Sequence, residues 1–131
     1  MTRWLEVRRH SLTKKDSARG RGSHLSAEGV VLARQVGESL GPFASVVASA
    51  SPRTVETAVA MGFAVDDTVE LPDGAAALVI GHGGGIEPGL VACLPDADHQ
   101  SWGAPFSYCD GARLGFHDGR FVGVQFHRVA P

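Results

Sequence analysis

Residues 46–58, VVASASPRTVETA, join a short apolar run directly to a segment with the features of a helix start. The apolar run is bounded by polar residues, which is typical of a buried strand. Ser51 can cap the following helix, and Pro52 suits its first position, where a missing N–H costs no hydrogen bond. A strand that leads straight into a helix is the repeating unit of α/β proteins, so this stretch indicates the class of fold.

The same alternation continues on both sides of this stretch. The patterns predict strands over 4–9 and 76–80, a helix capped by Ser26 whose apolar stripe ends at Gly41-Pro42, a helix over 86–93, and a hairpin of 113–117 and 120–126 around Asp118-Gly119. The order predicts an α/β three-layer sandwich, with a mostly parallel sheet flanked by helices and closed by a C-terminal hairpin.

Length and composition indicate a soluble protein of ordinary type. The 131 residues fit a single domain over 1–131. A net charge of -2 gives no electrostatic reason to bind nucleic acid or a membrane surface. Cys93 and Cys109 are too few for a disulfide framework, and the charged N-terminus does not resemble a signal peptide. We therefore expect a cytoplasmic protein, and the sequence leaves its oligomeric state open.

Three predicted strand-to-helix connections carry residues with chemical potential, namely His10, Arg53 and His82. In open α/β sheets, sites form beyond the carboxyl ends of the strands, so these residues can converge. Neutral imidazole is a nucleophile toward phosphorus, and a guanidinium matches phosphate oxygens. His82, beside a glycine loop, could donate a hydrogen bond to another phosphate oxygen. The set predicts phosphoryl transfer without a metal or another cofactor.

Other interpretations of these motifs are weaker. The glycines after His82 resemble the oxyanion loop of an α/β-hydrolase, but the chain has no G-x-S-x-G elbow, and no Walker lysine follows the loop. Asp96, Asp98 and His99 are potential metal ligands, although a solvated loop explains them better. Arg8 points to the opposite face of the strand from Arg9, which indicates a structural or surface role.

Four landmarks in this order resemble the histidine phosphatase, or phosphoglycerate mutase-like, superfamily. They are Arg9-His10-Ser11 for the family's Arg-His-Gly, Leu25-Ser26-Ala27-Glu28-Gly29 for its Leu-Thr-x-x-Gly, Ser49 to Arg53 with Thr57-Ala58, and Val79 to Gly84 with its His-Gly-Gly. Each landmark alone is weak, whereas together they are specific.

The resemblance implies a phosphohistidine intermediate on His10. It also implies a pocket in which Arg9, Arg53 and His82 hold the phosphate, with Ser11 and Gly83 among the binding residues. Ser11 departs from the family pattern, because it adds a side chain where the family has glycine.

The chain also departs from the family in length. Only 28 residues separate Arg53 from His82, so the segment around 63–75 is shortened. The family often places its proton donor in this region. The best remaining acid is Glu70, with Asp73 as the second choice.

We therefore expect a phosphohydrolase that acts on a phosphorylated small molecule or phosphoprotein, through a phosphomonoester or phosphohistidine group. Two alternatives stay open. A phosphoglycerate mutase-type transfer would need a more elaborate pocket, and a catalytically inactive relative would use the same pocket only to bind phosphate.

Overall fold

The computed structural model describes residues 2–14, 24–67 and 71–129. Strands and helices alternate as the sequence predicts, and a hairpin ends the described chain. The strands are β1 (Arg3–Arg9), β2 (Ser45–Ala48), β3 (Ala76–Gly81), β4 (Gly111–His117) and β5 (Arg120–His127), and the helices are α1 (Ala27–Gly37), α2 (Pro52–Ala60) and α3 (Ile86–Cys93).

The strands form one mixed sheet in the order β2-β3-β1-β4-β5. β1 and β2 each pair in parallel with β3, whereas β1–β4 and β4–β5 are antiparallel pairs. Two reversals in succession turn β5 back to the direction of β1, so within this sheet only β4 runs the other way. The predicted fold class is confirmed.

Helices cover both faces of the sheet and enclose two apolar cores. The first core packs α1 and α2 against β2 and β3, and the second packs α3 against β1 and β4. The fully buried centres are Ala33, Ala58, Leu78 and Ile80 on one face and Ala112 and Leu114 on the other. This is the predicted three-layer arrangement. No helix in the described parts of the chain is long and apolar enough to cross a membrane.

The two helix starts of the first layer differ from each other. Ser26 caps α1 as predicted, because its hydroxyl accepts a hydrogen bond from the Gly29 N–H at 3.0 Å. Ser51 occupies the cap position of α2, but its side chain makes no capping bond. The predicted cap is wrong in this respect, because the Ser51 hydroxyl lies 3.1 Å from the hydroxyl of Thr54 and bonds there instead.

α1 ends one turn before the predicted stop at Gly41. Its last residue, Gly37, packs directly against the backbone of Met61, and a Cβ there would lie 2.2 Å from the Met61 carbonyl oxygen. Leu40 still packs against the first core, but from the turn that follows the helix. The apolar stripe was thus identified correctly, whereas the helix boundary was not.

The C-terminal hairpin turns where the sequence predicts. Asp118 and Gly119 both have positive φ angles, 51° and 78°. A two-residue hairpin loop of this kind needs such angles at both central positions, which Asp and Gly tolerate. The turn brings β5 against β4 and completes the sheet.

Candidate active site

The carboxyl ends of the three parallel strands meet at one edge of the sheet. β1 leads into His10, β3 leads into His82, and β2 leads into the loop that starts α2 with Arg53. The ring centroids of the two histidines are 5.4 Å apart. A depression of about 470 Å³ at this edge is lined by Ser49, Ala50, Ser51, Arg53 and His82. The predicted convergence of these strand ends is therefore present.

His10 is buried, and one of its ring nitrogens is already engaged. Nδ1 lies 2.7 Å from the carbonyl oxygen of Ser11. A carbonyl oxygen only accepts, so Nδ1 carries the proton in this bond and Nε2 of the neutral ring keeps its lone pair. The geometry therefore leaves Nε2 as the basic nitrogen of His10.

The surroundings of His10 keep its ring neutral. Burial is the main cause that lowers the pKa of His10 from 6.5 to about 4. The bond to Ser11 partly opposes this effect, whereas the positive charges of Arg9 and Arg53 lower the pKa further. Near neutral pH the lone pair on Nε2 is consequently free of a proton.

His82 is held by hydrogen bonds on both sides of its ring. Arg53 Nε donates to Nδ1 at 3.3 Å, and Nε2 lies 2.7 Å from the Ser49 hydroxyl. Burial first, and then the charges of Arg53 and Arg9, lower the pKa of His82. His82 therefore also favours the neutral form when the site holds no anion.

The guanidinium of Arg9 is fixed between an aromatic ring and a glycine. Nη1 donates to the Phe106 carbonyl at 2.8 Å, and the guanidinium carbon lies 4.4 Å from the centre of the Tyr108 ring. On the other side, a Cβ at Gly83 would lie 2.8 Å from Arg9 Nε. Nε itself is buried without a hydrogen-bond partner among the described residues. Gly83 thus contributes space for Arg9.

The segment 106–110 completes the site, and the sequence analysis missed it. The Tyr108 ring packs 5.9 Å from the His10 ring between centroids. The Cys109 N–H donates to the carbonyls of Arg9 at 3.2 Å and His10 at 3.3 Å, with Cys109 at a positive φ of 62°. No motif in the sequence marks this segment. It lies beside the site because β4, which directly follows it, pairs with β1.

Glu87 connects the glycine loop to this segment. One carboxylate oxygen accepts from the Gly84 N–H and the other from the Phe106 N–H, each at 3.1 Å. Phe106 in turn holds Arg9 through its carbonyl. Glu87 is therefore part of the framework around Arg9, and the sequence analysis did not identify it either.

Ser11 lies behind the site rather than in the depression. The residue is fully buried, and its hydroxyl donates to the Gly29 carbonyl at 2.7 Å. Its N–H donates to the Thr57 hydroxyl at 3.0 Å. A Cβ at Gly29 would lie 2.1 Å from the Leu12 carbonyl oxygen, which explains the glycine at that landmark. The side chain that replaces the family glycine joins the loop after β1 to α1.

Arg8 is structural. It is buried and pairs with the equally buried Glu6 at 2.9 Å, and it also donates to the Cys109 carbonyl at 3.0 Å. Arg113 approaches the same carboxylate at 3.4 Å. Through the bond to Cys109, the ion pair anchors the segment 106–110, whose Tyr108 ring packs beside His10.

The predicted proton donor falls outside the described residues, since Glu70 lies between the ranges 24–67 and 71–129. The second choice, Asp73, pairs with Arg3 at 3.0 Å. Arg3 begins the seven-residue strand β1, and a strand of that length spans about 20 Å. Asp73 therefore lies at the opposite end of β1 from His10.

The loop with Asp96, Asp98 and His99 does not form a metal cluster in the structure. His99 Nε2 lies 2.8 Å from the Leu94 carbonyl oxygen, and its ring packs 4.9 Å from that of Trp102. In the part of the chain that the structure describes, no three His, Cys, Asp or Glu side chains group as metal ligands would.

An open α/β sheet whose parallel strand ends bring together two histidines and two arginines is the arrangement expected of a histidine phosphatase. Known structures share this fold. The chain is similar to a protein of Nakamurella multipartitia assigned as the phosphohistidine phosphatase SixA, with a TM-score of 0.70 and 20% identity over 99% of this chain and 98% of that one.

Two further structures show the same likeness. A phosphoserine phosphatase of Entamoeba histolytica, solved with phosphoserine, has a TM-score of 0.73 at 14% identity, covering 96% of this chain and 97% of that one. A mycobacterial glucosyl-3-phosphoglycerate phosphatase has a TM-score of 0.71 at 16% identity, covering 93% and 97%. No protein-family model and no curated protein sequence matches the chain. The chain has the histidine phosphatase fold, and the resemblance drawn from the sequence is confirmed at the level of the fold.

Proposed function

We propose that the protein is a metal-independent phosphohydrolase that works through a phosphohistidine on His10. The observation that carries this proposal is the state of the His10 ring. Nδ1 is used by the Ser11 carbonyl, and burial keeps the ring neutral, so Nε2 is available as a nucleophile. Arg9, Arg53 and His82 surround it with groups suited to phosphate oxygens.

The proposed reaction has two displacements at phosphorus. In the first, the Nε2 lone pair of His10 attacks phosphorus, and the bond to the leaving group breaks with its electron pair going to that group. In the second, water attacks the phosphohistidine, the N–P bond breaks, and its electron pair returns to Nε2. The water loses one proton to the medium, and inorganic phosphate is released.

The positive charge that stabilises the phosphoryl oxygens in both steps comes from the protein itself. The guanidinium groups of Arg9 and Arg53 match the equatorial oxygens, and Arg53 lies at the amino end of α2, where the helix dipole favours an anion. The proposal therefore needs neither a metal nor another cofactor.

The substrate class follows from what the structural relatives share. Their names describe a phosphoserine phosphatase, a sugar phosphoglycerate phosphatase and a protein assigned as a phosphohistidine phosphatase. We propose that this chain likewise removes phosphate from a phosphomonoester or a phosphohistidine-bearing protein. The short segment around 63–75 favours simple hydrolysis over a mutase reaction, which would need a more enclosed pocket.

A substrate screen with a His10→Asn control tests this function. Sugar phosphates, nucleotides, p-nitrophenyl phosphate and a phosphohistidine peptide are incubated with the protein in EDTA. We expect release of phosphate from at least one substrate by the wild type and essentially none by His10→Asn. Release that disappears in EDTA and returns with a divalent ion would contradict the metal-free proposal. Phosphate binding without any turnover would favour the inactive relative.

The leaving group is expected to be a good one unless Glu70 supplies a proton. A general acid typically contributes about 10² to 10⁴ in rate. Two other glutamates are poorly suited to donate a proton, because both oxygens of each carboxylate are already hydrogen-bonded. Glu56 is bonded to His24 and Leu25. Glu87 is bonded to Gly84 and Phe106.

Glu70→Gln separates the two cases. If Glu70 is the donor, we expect the variant to slow hydrolysis of an alkyl phosphate far more than that of p-nitrophenyl phosphate. If Glu70 is not in the site, the variant should change little and the wild type should strongly prefer p-nitrophenyl phosphate or phosphohistidine. Equal, large losses on both substrates would contradict both cases.

A further inference from the structure

The hydrogen bonds around His82 define where its proton lies. The Nε–H of an arginine only donates, so the His82 nitrogen that it meets, Nδ1, must hold a lone pair. In the neutral ring the proton is then on Nε2. Because Nε2 lies 2.7 Å from the Ser49 hydroxyl oxygen, it donates its proton to that oxygen. Both nitrogens are thus assigned by their partners.

The next links point the same way. Thr54 is fully buried, and its single hydroxyl proton goes to the backbone carbonyl of Ser49 at 2.7 Å or of Ser51 at 3.0 Å. Its oxygen must therefore accept from the Ser49 hydroxyl, which lies 3.0 Å away. The chain runs from His82 Nε2 through Ser49 to Thr54 and ends on backbone oxygen, with every donor and acceptor matched.

We propose that Ser49 is a positioning residue for the phosphoryl-transfer site, because it accepts the Nε2 proton of His82 and so directs Nδ1 toward Arg53 and the anion. Ser49 belongs to the loop after β2 and has no place in the two displacements themselves. The chemical consequence of this role rests on the proposed function, whereas the geometry does not.

The role follows from a property shared by two states of His82. The neutral ring described here carries a proton on Nε2, and so does the imidazolium that forms when Nδ1 gains a proton. Ser49 can therefore hold the ring in one orientation in both states. When a phosphate dianion enters and accepts hydrogen bonds from Arg53 in place of Nδ1, Nδ1 can take up a proton from the medium and donate a hydrogen bond to a phosphate oxygen without any rotation of the ring. Without the Ser49 hydroxyl, Nε2–H loses its acceptor, and only the longer contact from Arg53 at 3.3 Å favours the Nε2–H form, so both neutral forms can be populated.

The direct test is NMR of protein carrying ¹⁵N-labelled histidine, because ring nitrogen shifts distinguish the two neutral forms. His82 signals are assigned with His82→Gln. We expect wild-type His82, in phosphate-free buffer at neutral pH, to be the Nε2–H form. Ser49→Ala should give a mixture of both forms. Ser51→Ala is the matched control, since Ser51 bonds the same Thr54 hydroxyl but is not bonded to His82. It should keep the wild-type pattern.

Turnover provides the second readout. On p-nitrophenyl phosphate we expect Ser49→Ala to lower kcat by about fivefold to tenfold, the size of one lost hydrogen bond, with a smaller change in KM. Ser49→Thr, which keeps a hydroxyl, should restore most of the rate. If Ser49→Ala does not fold, the role of Ser49 is still tested by the neutral form of His82 in the wild type and by the turnover of Ser49→Thr.

The outcomes separate the two proposals. An Nδ1–H form in the wild type, or an unchanged His82 pattern in Ser49→Ala, would overturn the role of Ser49 whatever the activity. A protein without turnover whose His82 form still depends on Ser49 would instead refute the proposed function and leave the positioning role supported.

Discussion

At the scale of single residues, His10 combines burial with a defined proton position, and both features bear on its reactivity. Its pKa is lowered to about 4, chiefly by burial. The unfolded chain has a histidine pKa near 6.5, so the unfolded state binds the proton more tightly. As the pH falls from about 6.5 to 4, His10 therefore costs stability, and below about 4 it also loses its free lone pair.

We predict that the His10 ring titrates near pH 4 in the protein without bound phosphate. NMR of ¹⁵N-histidine over a pH series measures this, with His10→Asn to assign the signal. A midpoint at the ordinary value of about 6.5 would show that burial and the neighbouring arginines do not act as described.

A second residue-scale prediction concerns the contact between Gly83 and Arg9. Gly83→Ala would place a methyl group 2.8 Å from Arg9 Nε and displace the guanidinium. If Arg9 binds phosphate, vanadate affinity should fall by about tenfold, which corresponds to ~1.4 kcal/mol. Inhibition by vanadate, or its calorimetric Kd, measures the effect.

Gly85→Ala is the matched control in the same loop. Its Cβ would meet nothing closer than the His82 carbonyl oxygen at 3.5 Å, an ordinary contact. We expect affinity close to wild type. Equal losses in both variants would indicate that the loop responds as a whole and that Arg9 is not specifically involved.

At the scale of elements, β1 supports the site through a buried ion pair on the face opposite Arg9. Glu6 and Arg8 are almost fully buried and paired at 2.9 Å. Removing one member of such a pair leaves the other charge uncompensated, which typically costs about 3 to 5 kcal/mol. We predict that Glu6→Gln lowers the free energy of unfolding by an amount in this range, measured by urea denaturation.

The exposed pair at the start of the same strand offers a contrast. Arg3 and Asp73 are paired at 3.0 Å, with side chains 40% and 63% exposed. Surface pairs contribute at most about 1 kcal/mol. Asp73→Asn should therefore change stability little. A Glu6→Gln effect as small as that of Asp73→Asn would refute the structural role given to the buried pair.

At the scale of the whole molecule, local patterns were enough to locate the main parts of the fold. Periodicity and helix-start residues predicted that β1 ends at His10, that α2 begins near Arg53 and that β3 leads into His82. Each of these depends on neighbours within a few residues. The general rule for parallel sheets then predicted that the three strand ends meet.

The remaining contacts depend on chain segments far apart in sequence. Arg9 and Phe106 are 97 positions apart, and they meet because β4 pairs with β1. The tie from Glu87 to Phe106 has the same origin. The local exception is Ser51, whose cap was wrong because the buried Thr54 hydroxyl competes for its side chain. The packing of Thr54 decides which group the Ser51 hydroxyl bonds, and a local sequence pattern does not reveal that packing.

Trapping and locating the phosphate on the protein tests the proposed mechanism at its central step. Wild type is mixed with p-nitrophenyl phosphate, quenched rapidly in base and mapped by peptide mass spectrometry, and ³¹P NMR distinguishes the two ring nitrogens. We predict an acid-labile, base-stable phosphate on Nε2 of His10, absent from His10→Asn. Phosphate on another residue or on Nδ1, or full turnover by His10→Asn, would show that Nε2 of His10 is not the nucleophile.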